Sequence, residues 1–217
     1  MLFDLDGTLT DPADGIIASF RHALGRVGHP VADDVDLRWM IGPPIRDNLT
    51  AIGLPDHLHD DAVAAYRDRH TDIGLYDVTL HPGIEALLAD LRAAGSSIAV
   101  ATFKPTLQAE LTIQHLGLTH AVDAVIGVDA EHLTDTKVPV LTEALGRLGG
   151  GPAVMVGDRH HDITAGRTCG CTTVGVSWGY AGPDELEEAG ADYLVSTMAG
   201  LATVLLGGSP REVSGSG

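Results

Sequence analysis

Asp4-Leu5-Asp6-Gly7-Thr8 closes a short apolar start to the chain and sets two carboxylates at alternate positions. At a strand end such positions face the same way, and two carboxylates side by side repel unless a cation or a shared task justifies them. Gly7 then lets the backbone turn sharply. An isolated motif of this length also suits an acidic surface turn. Three later segments shift the balance.

The first is Ser97-Ile98-Ala99-Val100-Ala101-Thr102, an apolar run of buried-strand length that ends on a hydroxyl. Phe103-Lys104-Pro105 and a helical pattern follow, which places Thr102 at a strand-to-helix junction. There, free backbone N–H groups and the positive end of a helix dipole suit a phosphate oxygen; a simple helix cap is the alternative. The second is Ala153-Val154-Met155-Val156-Gly157-Asp158, another apolar run ending in acid, with Asp162 four residues on. The third is Lys137, at the start of a helix through Val140, Leu141, Ala144 and Leu148. Taken alone, a lysine there is solvated.

Working outward, residues 1–6 read as a clipped first strand. Ile16, Ile17, Phe20, Ala23, Leu24 and Val27 then recur at helical spacing. Shorter helices are expected near Ile45–Ile52 and His57–Ile73, with turns at Gly28-His29-Pro30, Gly42-Pro43-Pro44 and Gly53-Leu54-Pro55. After His81-Pro82-Gly83, Ile84, Leu87, Leu88 and Leu91 form one apolar face ending at Gly95. From there the pattern alternates: strand near 97–102, helix near 106–115, strand near 122–127, helix 137–147, strand 153–157, helix near 161–169, strand 172–176. The expected fold is α/β, a Rossmann-like doubly wound parallel sheet core with an inserted α-helical domain. Its divisions are a core of 1–13 and 81–206, a helical insertion of 14–80 and a flexible Gly/Ser tail of 207–217. Ligands of open parallel sheets bind beyond the carboxyl ends of the strands, the edge that carries Asp4, Thr102 and Asp158.

Composition sets outer bounds. The 217 residues, 44% hydrophobic, suffice for a core. No run approaches the ~20 apolar residues of a membrane helix, and no cleavable leader pattern precedes Asp4, so membrane association and secretion are not expected. Thirty acidic against 13 basic residues, net −17, oppose extended contact with nucleic acid phosphates. Cys169 and Cys171 are too few for a disulfide scaffold and read as reduced thiols near the core. A cytoplasmic location fits. An anionic ligand entering this field needs local positive charge, for which Lys137, Lys104, Arg46 and a divalent cation are available.

In order and spacing, the DLDGT motif, the strand ending in Thr102, the lone Lys137 and the Gly157-Asp158…Asp162 motif resemble the haloacid dehalogenase superfamily of phosphatases. The likeness extends over nearly the whole chain and is nearest to the group containing phosphoglycolate phosphatases, as Ile41-Gly42-Pro43-Pro44-Ile45-Arg46, Arg159-His160-His161-Asp162-Ile163, Val176-Ser177-Trp178-Gly179-Tyr180 and Ala189-Gly190-Ala191-Asp192 also resemble it.

The resemblance implies that the first strand is central and that the insertion is a helical cap closing over substrate. It implies magnesium-dependent hydrolysis of a small phosphomonoester, of the phosphoglycolate, sugar phosphate or nucleoside phosphate class. Asp4 would be the nucleophile, forming an aspartyl-phosphate, and Asp6 acid then base. Thr102 and Lys137 would hold phosphoryl oxygens. Mg2+ would be held by the Asp4 and Asp158 side chains and the Asp6 carbonyl, with Asp162 behind them or as a further ligand; an N-terminal helix charge is the plainer role for Asp162.

Arg46, Phe103 and Lys104 are candidate substrate contacts. Arg46 suits equally a surface ion pair with Asp47 or another acid, and Lys104 suits equally an exposed site. Phe103 stands where relatives often carry a small polar residue, so only its backbone N–H could bond substrate. His160 and His161 could bind metal, though a carboxylate site favours magnesium. Trp39, Trp178 and Tyr180 read as packing residues, with modest substrate contact open to Trp178. The alternatives are a phosphosugar mutase of the same superfamily, which Thr8 resembles less, and a catalytically silent binding protein on this scaffold. Asp6 speaks against dehalogenation, since dehalogenating relatives lack that second aspartate. The pattern leaves oligomeric state and natural substrate open.

Overall fold

The computed structural model describes residues 1–41, 45–129 and 136–207. The expected Gly42-Pro43-Pro44 turn and the tail beyond Gly207 lie outside these residues. The chain divides into two compact units, Met1–Leu9 with Leu80–Gly217, and Thr10–Thr79.

The first unit is a six-stranded sheet with helices on both faces. Its strands are β1 (Leu2–Phe3), β4 (Ala99–Pro105), β5 (Ala124–Val128), β6 (Val154–Gly157), β7 (Thr172–Val176) and β8 (Tyr193–Val195), in the order β5-β4-β1-β6-β7-β8. β2 (Thr10–Asp11) and β3 (Thr79–Leu80) pair separately. Every neighbouring pair in the large sheet is parallel. β1 is short yet central, with Leu2 beside Ala99 and Met155, and Phe3 beside Val100 and Val156.

Alternation along each strand splits these residues between two cores, which is why the strands read as unbroken apolar runs. Phe3, Val100 and Val156 join Leu87, Leu88 and Leu91 of α4 (Ile84–Ala93), Ile113 of α5 (Thr106–His115) and Leu201 of α9 (Met198–Leu205). Leu2, Ala99, Ala101 and Met155 face the other way, onto Val140, Leu141 and Ala144 of α6 (Val138–Arg147) and Ala165 of α7 (His160–Thr168). Each fully buried aliphatic side chain contributes about 1.5–3 kcal/mol relative to exposure.

Two features depart from the sequence reading. β4 continues past Thr102 to Pro105, with an irregularity in register between Ala101, paired with Ile126, and Pro105, paired with Val128. Thr102 therefore lies within a bulged strand, while α5 begins at Thr106, where the helix is expected. The second departure is a longer C-terminal part: α8 (Glu185–Glu188), β8 and α9 add a sixth strand and its covering helix. β8 is three residues long, too short for its period to register in sequence.

The second unit is helical: α1 (Ala13–Arg26), α2 (Ile45–Ala51) and α3 (His59–Arg69), with single turns at Arg38–Met40 and Asp56–Leu58 and a π turn at His70–Gly74. Phe20 of α1 packs on Tyr66 of α3 with ring centroids 4.6 Å apart. The loop after α1 is tied back by Arg21, whose guanidinium donates to the carbonyls of Val31, Ala32, Asp33 and Val35. Among the described residues no helix is long and apolar enough to cross a membrane.

Candidate active site

Three acids gather where the central strands end. Asp4 follows β1, Asp158 follows β6 and Asp162 sits in the first turn of α7, all three buried, with one carboxylate oxygen from each within 4.8 Å of the others. The close approach comes from the parallel pairing of β1 with β6, reinforced where the Asp4 amide donates to the Val156 carbonyl at 2.9 Å. Lys137, at the N-cap of α6, reaches into the group with its side chain 2% exposed. Its ammonium is 2.8 Å from Asp4 Oδ1 and 2.5 Å from Asp162 Oδ1.

Each carboxylate is oriented. Asp158 Oδ1 accepts from the Thr8 hydroxyl at 2.9 Å and its Oδ2 from the Tyr180 amide at 2.8 Å. Asp162 Oδ2 accepts from the Arg159 amide at 3.0 Å, which satisfies a backbone donor at the start of α7. Gly7 and Gly179 flank Asp158 so closely that a Cβ on either would fall 2.3 Å from its Oδ2, and Gly7 also turns at φ +91°. Trp178 locks the neighbouring loop, its indole N–H donating to the Thr8 carbonyl at 3.2 Å.

The group is short of positive charge. Burial pushes the Asp4 carboxyl up to about 6, against the opposing pull of Lys137. Burial and the nearby Asp4 and Asp162 push Asp158 up to about 7. Burial works against the Lys137 ammonium too, but Asp162 and Asp4 outweigh it and hold its pKa above that of an ordinary lysine. Asp4 Oδ1 is buried and meets Lys137 as an ion pair without accepting a well-aligned hydrogen bond. Buried, oxygen-only donors short of cationic charge fit a hard divalent cation better than a transition metal sought by sulfur or imidazole.

The remaining candidates divide. Thr102 is buried in β4, and its hydroxyl accepts from the Lys104 amide at 3.2 Å. Lys104, expected as a substrate contact or an exposed lysine, is not exposed: its Nζ lies 2.9 Å from the Asp6 carboxylate, with its side chain 7% exposed. Phe103 is half-buried, its ring 5.4 Å from Lys137 Nζ and edge-on to His161 at 5.3 Å. Arg46 belongs to the helical unit, where it pairs with Asp60, both side chains largely exposed. Cys171 is buried, Cys169 half-buried, and both are free thiols.

Glu185 escaped the sequence reading. It accepts from Arg159 Nε, the His160 amide, His160 Nδ1 and the Gly182 amide, all at 2.8–2.9 Å. One acid in a Pro-Asp-Glu helix start carries no local mark of such a role.

Comparison with known proteins places the chain in a family. A family profile described as haloacid dehalogenase-like hydrolase matches residues 1–176. The chain is 40% identical over 190 residues to the tyrosine-protein kinase PtkA of Mycobacterium tuberculosis, a match that spans 87% of this chain but 65% of that protein's length. It is 33% identical to a 5'-nucleotidase of Pseudomonas aeruginosa, with 94% of each chain covered. Among solved structures, a haloacid dehalogenase-like family hydrolase from Streptococcus pneumoniae superposes with a TM-score of 0.82 at 28% identity, over 95% of both chains.

Proposed function

The chain belongs to the haloacid dehalogenase-like hydrolase family, and from that premise we propose that it is a magnesium-dependent phosphatase of small phosphomonoesters, working through an aspartyl-phosphate. The observation that carries this reading is the buried trio Asp4, Asp158 and Asp162, compensated by Lys137. A phosphate dianion repels a carboxylate nucleophile, so the site must neutralise charge before attack. Asp4 and Asp158, with the Asp6 carbonyl, would hold Mg2+, and Asp162 would stand behind them through Lys137. The cation, when bound, supplies charge neutralisation for the phosphoryl oxygens.

In the first displacement a carboxylate oxygen of Asp4 bonds to phosphorus as the ester P–O bond breaks, and the leaving alkoxide takes a proton from Asp6. In the second, Asp6 takes a proton from water as that water attacks phosphorus; the bond to Asp4 breaks and phosphate leaves. Thr102 and Lys137 hold the phosphoryl oxygens as charge redistributes. Lys104, paired with Asp6, orients the acid that works in both steps. For the helical insertion of 14–80 the resemblance implies a substrate-selecting cap, and Arg46, paired there with Asp60, stays a candidate substrate contact. The 5'-nucleotidase relative supports the nucleoside phosphate class beside phosphoglycolate and sugar phosphates.

The relative named as a tyrosine kinase raises a second reading, in which phosphoryl groups are passed to a protein hydroxyl. One experiment separates them: phosphate release from a panel of phosphorylated metabolites, with and without magnesium, run beside a phosphotyrosine assay with ATP. Magnesium-dependent release that disappears in Asp4→Asn is the expected result. Phosphotyrosine formation without phosphate release overturns it.

A further inference from the structure

Glu185 joins two pieces of backbone that separately hold the acids of the site. On one side it accepts from Arg159 Nε at 2.8 Å and the His160 amide at 2.9 Å, at the start of α7. That same turn carries Asp162, whose carboxylate is fixed by the Arg159 amide and by Lys137. On the other side Glu185 Oε2 accepts from the Gly182 amide at 2.9 Å. Gly182 closes the loop in which the Tyr180 amide holds Asp158 Oδ2 and Gly179 packs against the same carboxylate.

Asp184, the residue before it, has φ +60°, and among the described residues it is the only non-glycine in the left-handed region. Such a backbone conformation is disfavoured for a residue bearing a Cβ and is held by its surroundings. Asp184 lies directly between Gly182-Pro183 and the Glu185 side chain that accepts from the Gly182 amide. Burial opposes ionisation of Glu185, but the hydrogen bonds from Arg159, His160 and Gly182 prevail and pull its carboxyl down to about 2.

We propose that Glu185 is a positioning residue that clamps the Tyr180 loop to the start of α7 and thereby sets the spacing of Asp158 and Asp162 for the cation. The inference rests on the phosphatase reading of the site. Glu185 touches neither acid; it acts through Arg159, His160 and Gly182. Groups that orient the ligands of a metal typically alter affinity or rate by ~10–100-fold when lost.

The test compares wild type, Glu185→Gln and Glu187→Gln, the last removing the same charge from an exposed position on the same short helix. Magnesium binding is followed by calorimetry and by Trp178 fluorescence, whose indole bonds the loop beside Asp158. Turnover is measured at saturating magnesium. Glu185→Gln is expected to weaken magnesium binding and lower kcat by about tenfold or more each, while Glu187→Gln follows wild type. Magnesium affinity and kcat in Glu185→Gln equal to those of Glu187→Gln overturn the inference. Should Glu185→Gln fail to fold, Arg159→Met, which removes one arm of the clamp, carries the same expectation at smaller size and the same refutation. A wild-type protein that binds no magnesium and releases no phosphate would instead sink the phosphatase reading, and this inference with it.

Discussion

The ammonium of Lys137 stands 2.8 Å from Oδ1 of Asp4, in a position where the lysine side chain is 2% exposed. Burying an ammonium is costly unless charge and hydrogen bonds repay it. Here two aspartates do, Asp4 on one side and Asp162 on the other. The lysine is therefore held by its partners and in turn allows both acids to remain close.

Lys137→Met removes the cation and leaves the acids buried and uncompensated. Stability in chemical denaturation is expected to fall by about 3–5 kcal/mol, and turnover to fall with it by a larger factor than the loss of folded protein explains. A variant as stable as wild type would mean that the pair is not buried in solution.

Stability should also depend on pH in a direction opposite to that of most acids. The carboxyls of Asp4 and Asp158 are raised by burial to about 6 and about 7, above the ordinary carboxylate value near ~4. Over that window the folded chain binds more protons than the unfolded one. The corresponding stability is present in full below about pH 4 and is lost as pH rises through about 6 and 7. In chelator, the melting temperature is expected to carry this downward contribution, which Asp158→Asn reduces and saturating magnesium removes. Identical profiles with magnesium and with chelator would contradict it.

Gly7→Ala and Gly179→Ala each put a methyl group into the Asp158 carboxylate, at 2.3 Å from Oδ2. Gly7 has the further constraint of φ +91°. Displacing a reacting group by about 1 Å can cost on the order of 100-fold in rate, so both variants should lose most of kcat while retaining the circular dichroism of the fold. Normal kcat in either would place Asp158 outside the chemistry.

Asp192 holds the start of β7 through Thr173. Its Oδ2 accepts from the Thr173 amide at 2.7 Å and the Thr173 hydroxyl at 2.9 Å, and Thr173 is fully buried. Asp192→Ala leaves those donors unmatched and should cost about 1–3 kcal/mol with kcat per folded molecule unchanged. The Thr173 amide, with its hydroxyl, holds the Asp192 carboxyl below its usual range. Its contribution is thus present above the unfolded-state pKa and is lost as pH falls through the folded value. An acid-side melting curve unchanged by Asp192→Ala would refute this.

Much of the fold was legible because the core strands are buried on both faces. Ile98–Ala101 and Val154–Val156 read as unbroken apolar runs for that reason; the first leads directly to Thr102 and the second, through Gly157, to Asp158. The helix through Val140, Leu141 and Ala144 showed its face by period. Thr102 was placed at a helix junction because Phe103-Lys104-Pro105 breaks the apolar run, whereas the bulge keeps those residues in β4. β8, with two of its three residues exposed, left no run to read.

By itself the sequence determined which chemical groups lie on or after which strands: Asp4 and Asp6 after the first, Thr102 on the strand that opens the alternating series, Asp158 after the third strand of that series. That information is local, carried by side-chain period and by the residues at which apolar runs stop. Only the tertiary structure decided what those groups face. Parallel pairing on both sides of β1 brings Asp4 to Asp158, Lys137 arrives from a separate helix and becomes buried between two acids, Lys104 turns to Asp6, and Glu185 reaches Arg159 across a loop. Such contacts arise from strand order and packing between distant segments, and no period along the chain encodes them.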